Sequence, residues 1–185
     1  MNDFDIPRAA YIALLQREAI VTVAYSDDTT GGGKWSQGAG SQWNYNLSRA
    51  VKGDDPPITI EEAVVWTKAG VASRLETIRG ILKVEITPDQ MGSVHSLYFQ
   101  HGSAPLNRVV SLFNAGKPFA AMLAFSEFAS GQNGVQTEGH SKRRALEIAA
   151  GYGLYPADSQ IPVYEGNPRD PNTQRHFVDG TTLNL

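Results

Sequence analysis

Residues 18–27 read Glu18-Ala19-Ile20-Val21-Thr22-Val23-Ala24-Tyr25-Ser26-Asp27. An acidic residue, a run rich in β-branched side chains and a second acidic residue follow one another. Upstream, Asp5 and Pro7 suit a helix start, and Tyr11, Ile12, Leu14 and Leu15 supply an apolar side. A helix over residues 7–18 is therefore expected to end on Glu18. Residues 21–25 have strand composition. Gly31-Gly32-Gly33 makes a turn, and residues 35–40 return beside the strand. Glu18 thus stands where a helix hands over to a small sheet, and Asp27 stands on the hairpin that follows.

Past a loop at residues 48–57, rich in Gly, Asp and Pro, the chain turns helical. Thr59-Ile60-Glu61-Glu62 is a capping box, in which Thr59 accepts from the amide of Glu62 and Glu62 reaches back. Val64, Val71, Leu75 and Ile78 follow near helical spacing. Thr87-Pro88-Asp89-Gln90 is a second such start, for a helix stopping near Gly102. Further helices are expected over residues 105–115 (closed by Gly116), 119–129 (opened by Pro118, closed by Gly131) and 141–150 (closed by Gly151). One helix, a small sheet and a mostly helical body make an α+β class. Residues 154–185 hold Pro156, Pro162, Pro168 and Pro171 among many Asn and Asp residues. They read as an extended C-terminal arm beside a domain over residues 1–153, ordered only in part unless a partner holds it.

Composition narrows the function classes. A chain of 185 residues, 41% of them hydrophobic, suits one core. No apolar run reaches membrane-spanning length, so no membrane insertion is expected. Asp3 and Asp5 stand where a secretory signal would carry basic residues. Without cysteine there is no disulfide framework or thiolate site. His95, His101, His140 and His176 show no ligand spacing, so no metal is expected. A net charge of −3 and a pI near 5.8 argue against nucleic acid as a partner, and weakly against attraction to an anionic wall.

Glu18, Asp27 and Ser36 are spaced nine apart. Cleavage of a glycosidic bond needs two carboxyl groups with different tasks. One holds a proton for the leaving oxygen; a half-buried carboxyl at a helix end suits that task. The other stays ionised, to activate water or to stabilise oxocarbenium-like charge, and a solvated hairpin suits it. A nearby hydroxyl can hold the attacking water. Taken alone, such residues are most often solvated surface charges.

The pattern around them resembles the phage-type lysozymes, whose motif runs Glu-Gly, then Tyr-x-Asp, then Thr-x-Gly-x-Gly-His. Here Glu18-Ala19, Tyr25-Ser26-Asp27 and Ser36-Gln37-Gly38-Ala39-Gly40 stand in that order, with extra residues in the turn. Thr59-Ile60-Glu61-Glu62-Ala63 is similar to the family's Thr-x-Glu-Glu-Ala. The stretch from Thr87 through Gln90, Ser96, Phe99 and Gly102 is similar to its Thr-x-x-Gln…Ser-Phe…Phe-Asn-x-Gly, with Gln100 for Asn. Phe113-Asn114-Ala115-Gly116 resembles Leu-Asn-x-Gly, and Gly139, Arg143-Arg144 and Glu147 resemble Gly-Leu-x-x-Arg-Arg-x-x-Glu. The resemblance implies a lysozyme-like fold with a small β-lobe, a helical lobe and a cleft between them. It also implies a muramidase that cuts the β-1,4 bond between N-acetylmuramic acid and N-acetylglucosamine in peptidoglycan, without a cofactor. Glu18 becomes the general acid, Asp27 the base or electrostatic partner and Ser36 the water-positioning residue. Tyr25, Gly38, Gly40, Gln100 and Asn114 become substrate-binding positions.

The departures are Ala19 for glycine, Ser36 for threonine, Ser41 for a histidine and Gln100 for asparagine. They leave a weak or inactive glycan-binding virion protein as the alternative, and a lytic transglycosylase as a narrower one. The protein is expected in the host cytoplasm before release to the wall, or in the virion, with residues 154–185 docking on a tail or capsid component. Gly31 to Ser36 lacks the hydroxyl directly after Lys34 that a phosphate loop needs, because Trp35 is there. Trp35, Trp43 and Tyr45 are read as core before sugar-stacking groups, and His95 as structural. Phe113, Phe119, Met122, Phe125 and Phe128 are read as helix core. Arg143 and Arg144 pair either with Glu18 or, at helical spacing, with Glu147 on the surface.

Overall fold

Helix α1 covers Arg8–Glu18 and strand β1 covers Ile20–Ser26, as the opening stretch predicts. The computed structural model describes residues 6–26, 33–129 and 137–185. Asp5, Asp27, Gly31, Gly32 and Gly131 lie outside them. The chain divides into two compact units, Met1–Tyr11 with Ala72–Pro156, and Ile12–Val71 with Ala157–Leu185.

The second unit carries the sheet. Strand β2 (Trp35–Gly38) pairs antiparallel with β1, with Val21 opposite Gly38 and Tyr25 opposite Ser36. The register shifts between those pairs: four steps along β1 match two along β2, so β1 bulges. A second hairpin, β3 (Trp43–Asn44) with β4 (Arg49–Ala50), takes residues expected to be partly loop. Helix α2 (Ile60–Ile81) opens on the expected box: the Glu62 amide donates to the Thr59 hydroxyl at 3.1 Å, and the Thr59 amide to the Glu62 carboxylate at 2.8 Å. Leu15, Ile20, Ala39, Val51, Ile58, Ala63 and Trp66 form the core here.

The expectation of an appended arm fails at residues 154–185. Strands β5 (Gln160–Tyr164) and β6 (Arg175–Asp179) complete a four-stranded sheet in the order β2-β1-β5-β6. β5 runs parallel to β1, and β6 pairs antiparallel with β5 over five residues. Ile161 and Val163 are wholly buried in the same core as Leu15 and Ile20. The segment folds because its alternating apolar residues meet a seam that β1 leaves open. Pro162 precedes Val163, the first residue of β5 registered with β1.

The first unit is helical. α3 (Pro88–His101) starts at the Thr87 capping box, with Gln90 as its second member, and stops at Gly102, whose φ of 73° breaks the helix. α4 spans Ser103–Asn114. The single helix expected at residues 119–129 is instead α5 (Pro118–Leu123) followed by a 3-10 helix, Ala124–Phe128. α6 (Glu138–Ala150) starts earlier than expected, because Thr137 accepts from the His140 amide at 3.2 Å. Val94, Leu97, Leu106, Val109, Phe113, Met122 and Phe125 are buried, but Phe119 is 66% exposed and is not core. Two glycines permit close packing. A Cβ on Gly92 would lie 2.8 Å from that of Ala10, and one on Gly151 would overlap the Met122 thioether. Gly151 closes α6 as expected, but with right-handed backbone, so packing rather than turn geometry calls for glycine there.

Candidate active site

Glu18 is the last residue of α1, half-buried, with Oε1 withdrawn from solvent. The helix ends there because the Ala19 amide still donates to the Leu15 carbonyl at 2.8 Å while Ala19 itself turns to φ 60°. That left-handed conformation suits glycine and strains any residue with a Cβ. Ile20 and Val21 then plunge into the core and fix the exit. Glu18 is therefore held by a short, strained turn between two anchored elements.

The hairpin partner returns to the start of β1. Gly38, opposite Val21, has φ 66° and Gly40 has φ 72°. On either side of them the amides and carbonyls of Gln37 and Ser41 exchange hydrogen bonds of 2.9 and 3.0 Å, closing a tight loop at Ala39. Both glycines are thus explained by backbone shape, and a Cβ on Gly38 would only touch Ala63 and Ile58 at 3.7 Å. Ser36 is fully buried and stands opposite Tyr25, itself 9% exposed. Ser41 forms a local turn: its hydroxyl donates to the Trp43 carbonyl at 2.8 Å and accepts from the Trp43 amide at 3.2 Å.

Gln37 was missed by sequence reasoning. It is fully buried, and its Nε2 donates to the carbonyls of Thr22 and Pro56, each at 2.9 Å. One amide thus locks β1, β2 and the loop before α2 together, a role that no local sequence signal announces. Asp55 was also missed. Burial alone would raise its pKa, but Arg49, the Lys52 amide and the Asn44 amide outweigh that and lower it. Its Oδ2 accepts from Asn44 and Lys52 at 3.0 Å each, tying the β3–β4 hairpin to its loop. Trp35 and Tyr45 pack against the core, whereas Trp43, expected to be core, is 47% exposed. Glu18, Tyr25, Ser36, Gly38 and Gly40 all belong to this unit.

Gln100 and Asn114 belong to the helical unit. Asn114 accepts from the Lys83 amide at 2.7 Å and donates to the Ile81 carbonyl at 3.0 Å. Its amide is thereby committed to the chain leaving α2. Gln100 accepts from Arg144. Arg144 also pairs with Glu147 at 2.9 Å, and Arg143 pairs with Glu147 at 3.2 Å. Ser96 donates to the same carboxylate at 2.6 Å. The helical spacing was legible, but the pair was expected on the surface, and Arg144 and Glu147 are buried. Such a buried ion pair needs the extra hydrogen bonds that Gln100 and Ser96 supply.

His95 lies deep in this unit at 1% exposure, its Nε2 without a hydrogen-bond partner among the described residues. Burial first, and the Arg74 charge second, push its pKa down to about 3, so it is a neutral structural residue. Among the described residues no group of histidines and carboxylates could hold a metal ion, and no helix is long and apolar enough to cross a membrane.

Comparison with known proteins agrees with this layout. The structure resembles an endolysin from the Escherichia coli O157:H7 phage FAHEc1 with a TM-score of 0.70, at 22% identity over 82% of this chain and 96% of that one. It resembles a mutant P22 lysozyme with a TM-score of 0.66, at 25% identity over 80% of this chain and 97% of that one. It also resembles the muramidase domain of SpmX from Asticaccaulis excentricus, with a TM-score of 0.62, at 21% identity over 82% and 98% of the two chains. No curated protein matches the chain. The family model described as phage lysozyme matches residues 16–147, from just before Glu18 to the buried Glu147. The α+β, lysozyme-like chain therefore belongs to the phage lysozyme family, a family of glycoside hydrolases.

Proposed function

We propose that the protein hydrolyses the β-1,4 bond between N-acetylmuramic acid and N-acetylglucosamine in bacterial peptidoglycan. The observation that carries this reading is Glu18, placed at the end of α1 inside the span matched by the phage lysozyme family. In this reading Glu18 gives its proton to the leaving glycosidic oxygen. Asp27 activates water or stabilises the developing positive charge on the sugar, and Ser36 orients that water. Tyr25 and the backbone at Gly38 and Gly40 contact the glycan. The setting we propose is the wall of a bacterium, reached from the cytoplasm of a phage-infected host or carried in with the virion.

A second reading, glycan binding without turnover, draws support from Ser36, whose hydroxyl is sealed in the β1–β2 hairpin. Release of soluble fragments from purified peptidoglycan separates the two. New reducing ends with wild type and none with Glu18→Gln support the hydrolase. Anhydro-sugar ends point to a transglycosylase, and binding without release points to the module.

A further inference from the structure

β6 stands at the edge of its sheet and pairs with β5 on one side only. The register tells which of its backbone groups face outward. One step beyond the strands at either end, the Gly180 amide donates to the Ser159 carbonyl at 2.9 Å and the Glu165 amide to the Gln174 carbonyl at 3.3 Å. Bonded and unbonded pairs alternate along an antiparallel ladder. Counted inward from both ends, Val178 and His176 bond across to Ile161 and Val163. Arg175, Phe177 and Asp179 therefore turn their amides and carbonyls away from β5. Pro162 fits that count, because it stands opposite Phe177, where β5 needs no N–H toward β6.

At one end the open edge is closed off. The Asp179 carbonyl accepts from the Thr182 amide at 3.0 Å and from its hydroxyl at 2.7 Å. Among the described residues no hydrogen bond answers the outward amides and carbonyls of Arg175 and Phe177. Their side chains share one face of the sheet. Phe177 is 51% exposed, and the Arg175 guanidinium lies 5.1 Å from the centre of its ring. A charged residue on a short edge strand usually guards it, because a second copy brings the same charge. The run Arg175-His176-Phe177-Val178-Asp179 lifts that guard for one partner, since opposite charges stand equally far from Phe177 on either side.

We propose that β6 pairs antiparallel with β6 of a second copy of this chain, about a two-fold axis through Phe177. The two Phe177 residues exchange backbone hydrogen bonds and set their rings side by side. Arg175 of each copy faces Asp179 of the other, so both charges are answered. An axis at His176 instead sets Arg175 opposite Phe177 and leaves both Asp179 carboxylates unanswered. The contact is isologous and fuses two four-stranded sheets into one. It lies beyond the family match, which ends at residue 147, and stands whether or not the chain hydrolyses glycan.

The test is sedimentation velocity on the full chain at rising concentration, up to about 1 mM because the interface is small. The mass should climb from one chain toward two. Phe177→Pro removes an outward N–H and no bond to β5, so melting should stay near wild type while dimerisation weakens about tenfold or more. Arg175→Asp should weaken it similarly by setting like charges opposite each other. The chain has no cysteine of its own. Phe177→Cys should therefore give a disulfide-linked dimer on mild oxidation, as Cα atoms about 5.5 Å apart allow, and Arg175→Cys should not. A monomer at every concentration overturns the proposal. So does a dimer that survives both Phe177→Pro and Arg175→Asp, or equal cross-linking through the two cysteine variants. Should Phe177→Pro melt early, Arg175→Asp and the cysteine pair decide the matter.

Discussion

Acidification should destabilise this protein through His95. The residue is buried in the helical unit and holds a folded pKa of about 3, against about 6.5 in an unfolded chain. Between those values the unfolded state binds a proton that the folded state refuses. Stability is therefore full above pH 6.5 and falls as pH drops through the unfolded value. Between pH 7 and pH 5 the loss from this one group works out at about 2 kcal/mol. Because pH 5 lies well above the folded value, the figure is set almost wholly by the unfolded one. His101 adds to the trend with the same sign, since partial burial first and then Arg144, Arg143 and His140 lower its pKa. Urea melts at pH 7, 6 and 5 for wild type and His95→Leu isolate this contribution. The difference in unfolding free energy between the two should shrink or grow by about 2 kcal/mol across the range, wild type losing more. Parallel pH dependences in the two proteins would rule out His95 as the source of the acid sensitivity.

Other consequences follow from particular residues. Ala19→Gly should relieve the left-handed strain after Glu18, offset in part by the entropy of glycine in the unfolded chain. A gain of up to about 1 kcal/mol is expected, and Ala19→Val should lose stability in the same melts. Ile161→Ala should cost about 2–5 kcal/mol, the range for a buried aliphatic side chain, where a loosely attached arm would cost almost nothing. Asp55→Asn should cost about 1–2 kcal/mol at neutral pH, discounted because Arg49 is partly exposed. As the folded carboxyl sits below its usual value, that contribution fades when pH falls through it. Melting curves of wild type and variant should therefore converge in acid, and a constant gap would count against the Arg49–Asp55 account.

Local signals carried the parts of the fold that local chemistry decides. Pro7, the Thr59–Glu62 and Thr87–Gln90 boxes and Gly102 mark helix ends with hydrogen bonds made within four residues, so a short window contains the answer. The run from Glu18 to Ser26 is legible for the same reason. The role of residues 154–185 is not, because the partner of β5 lies 143 residues upstream in β1. Proline and asparagine content described the loops of that segment and concealed Ile161 and Val163 between them. The candidate site divides in the same way. The helix-end position of Glu18 and the turn at Gly38 and Gly40 follow from local sequence, whereas Gln37 and Asp55 act through contacts that no periodicity announces. Burial of Arg144 and Glu147 was hidden too, because i to i+3 spacing describes a helix face and not what covers it.

The parallel seam between β1 and β5 also dictates an order of events during synthesis. β1 leaves the ribosome well before β5, and its open side stays unpaired until residues 160–164 have been made. At the usual elongation rates of about 5–20 residues per second, that wait lasts roughly 7–30 s. Throughout it, Ile20 and Val21 lack the neighbours that bury them in the finished sheet. A ribosome stalled before residue 160 thus carries Glu18 without the complete sheet that follows it. Such long-range pairing slows folding, and here it defers the sheet beside Glu18 until residue 164 has been made.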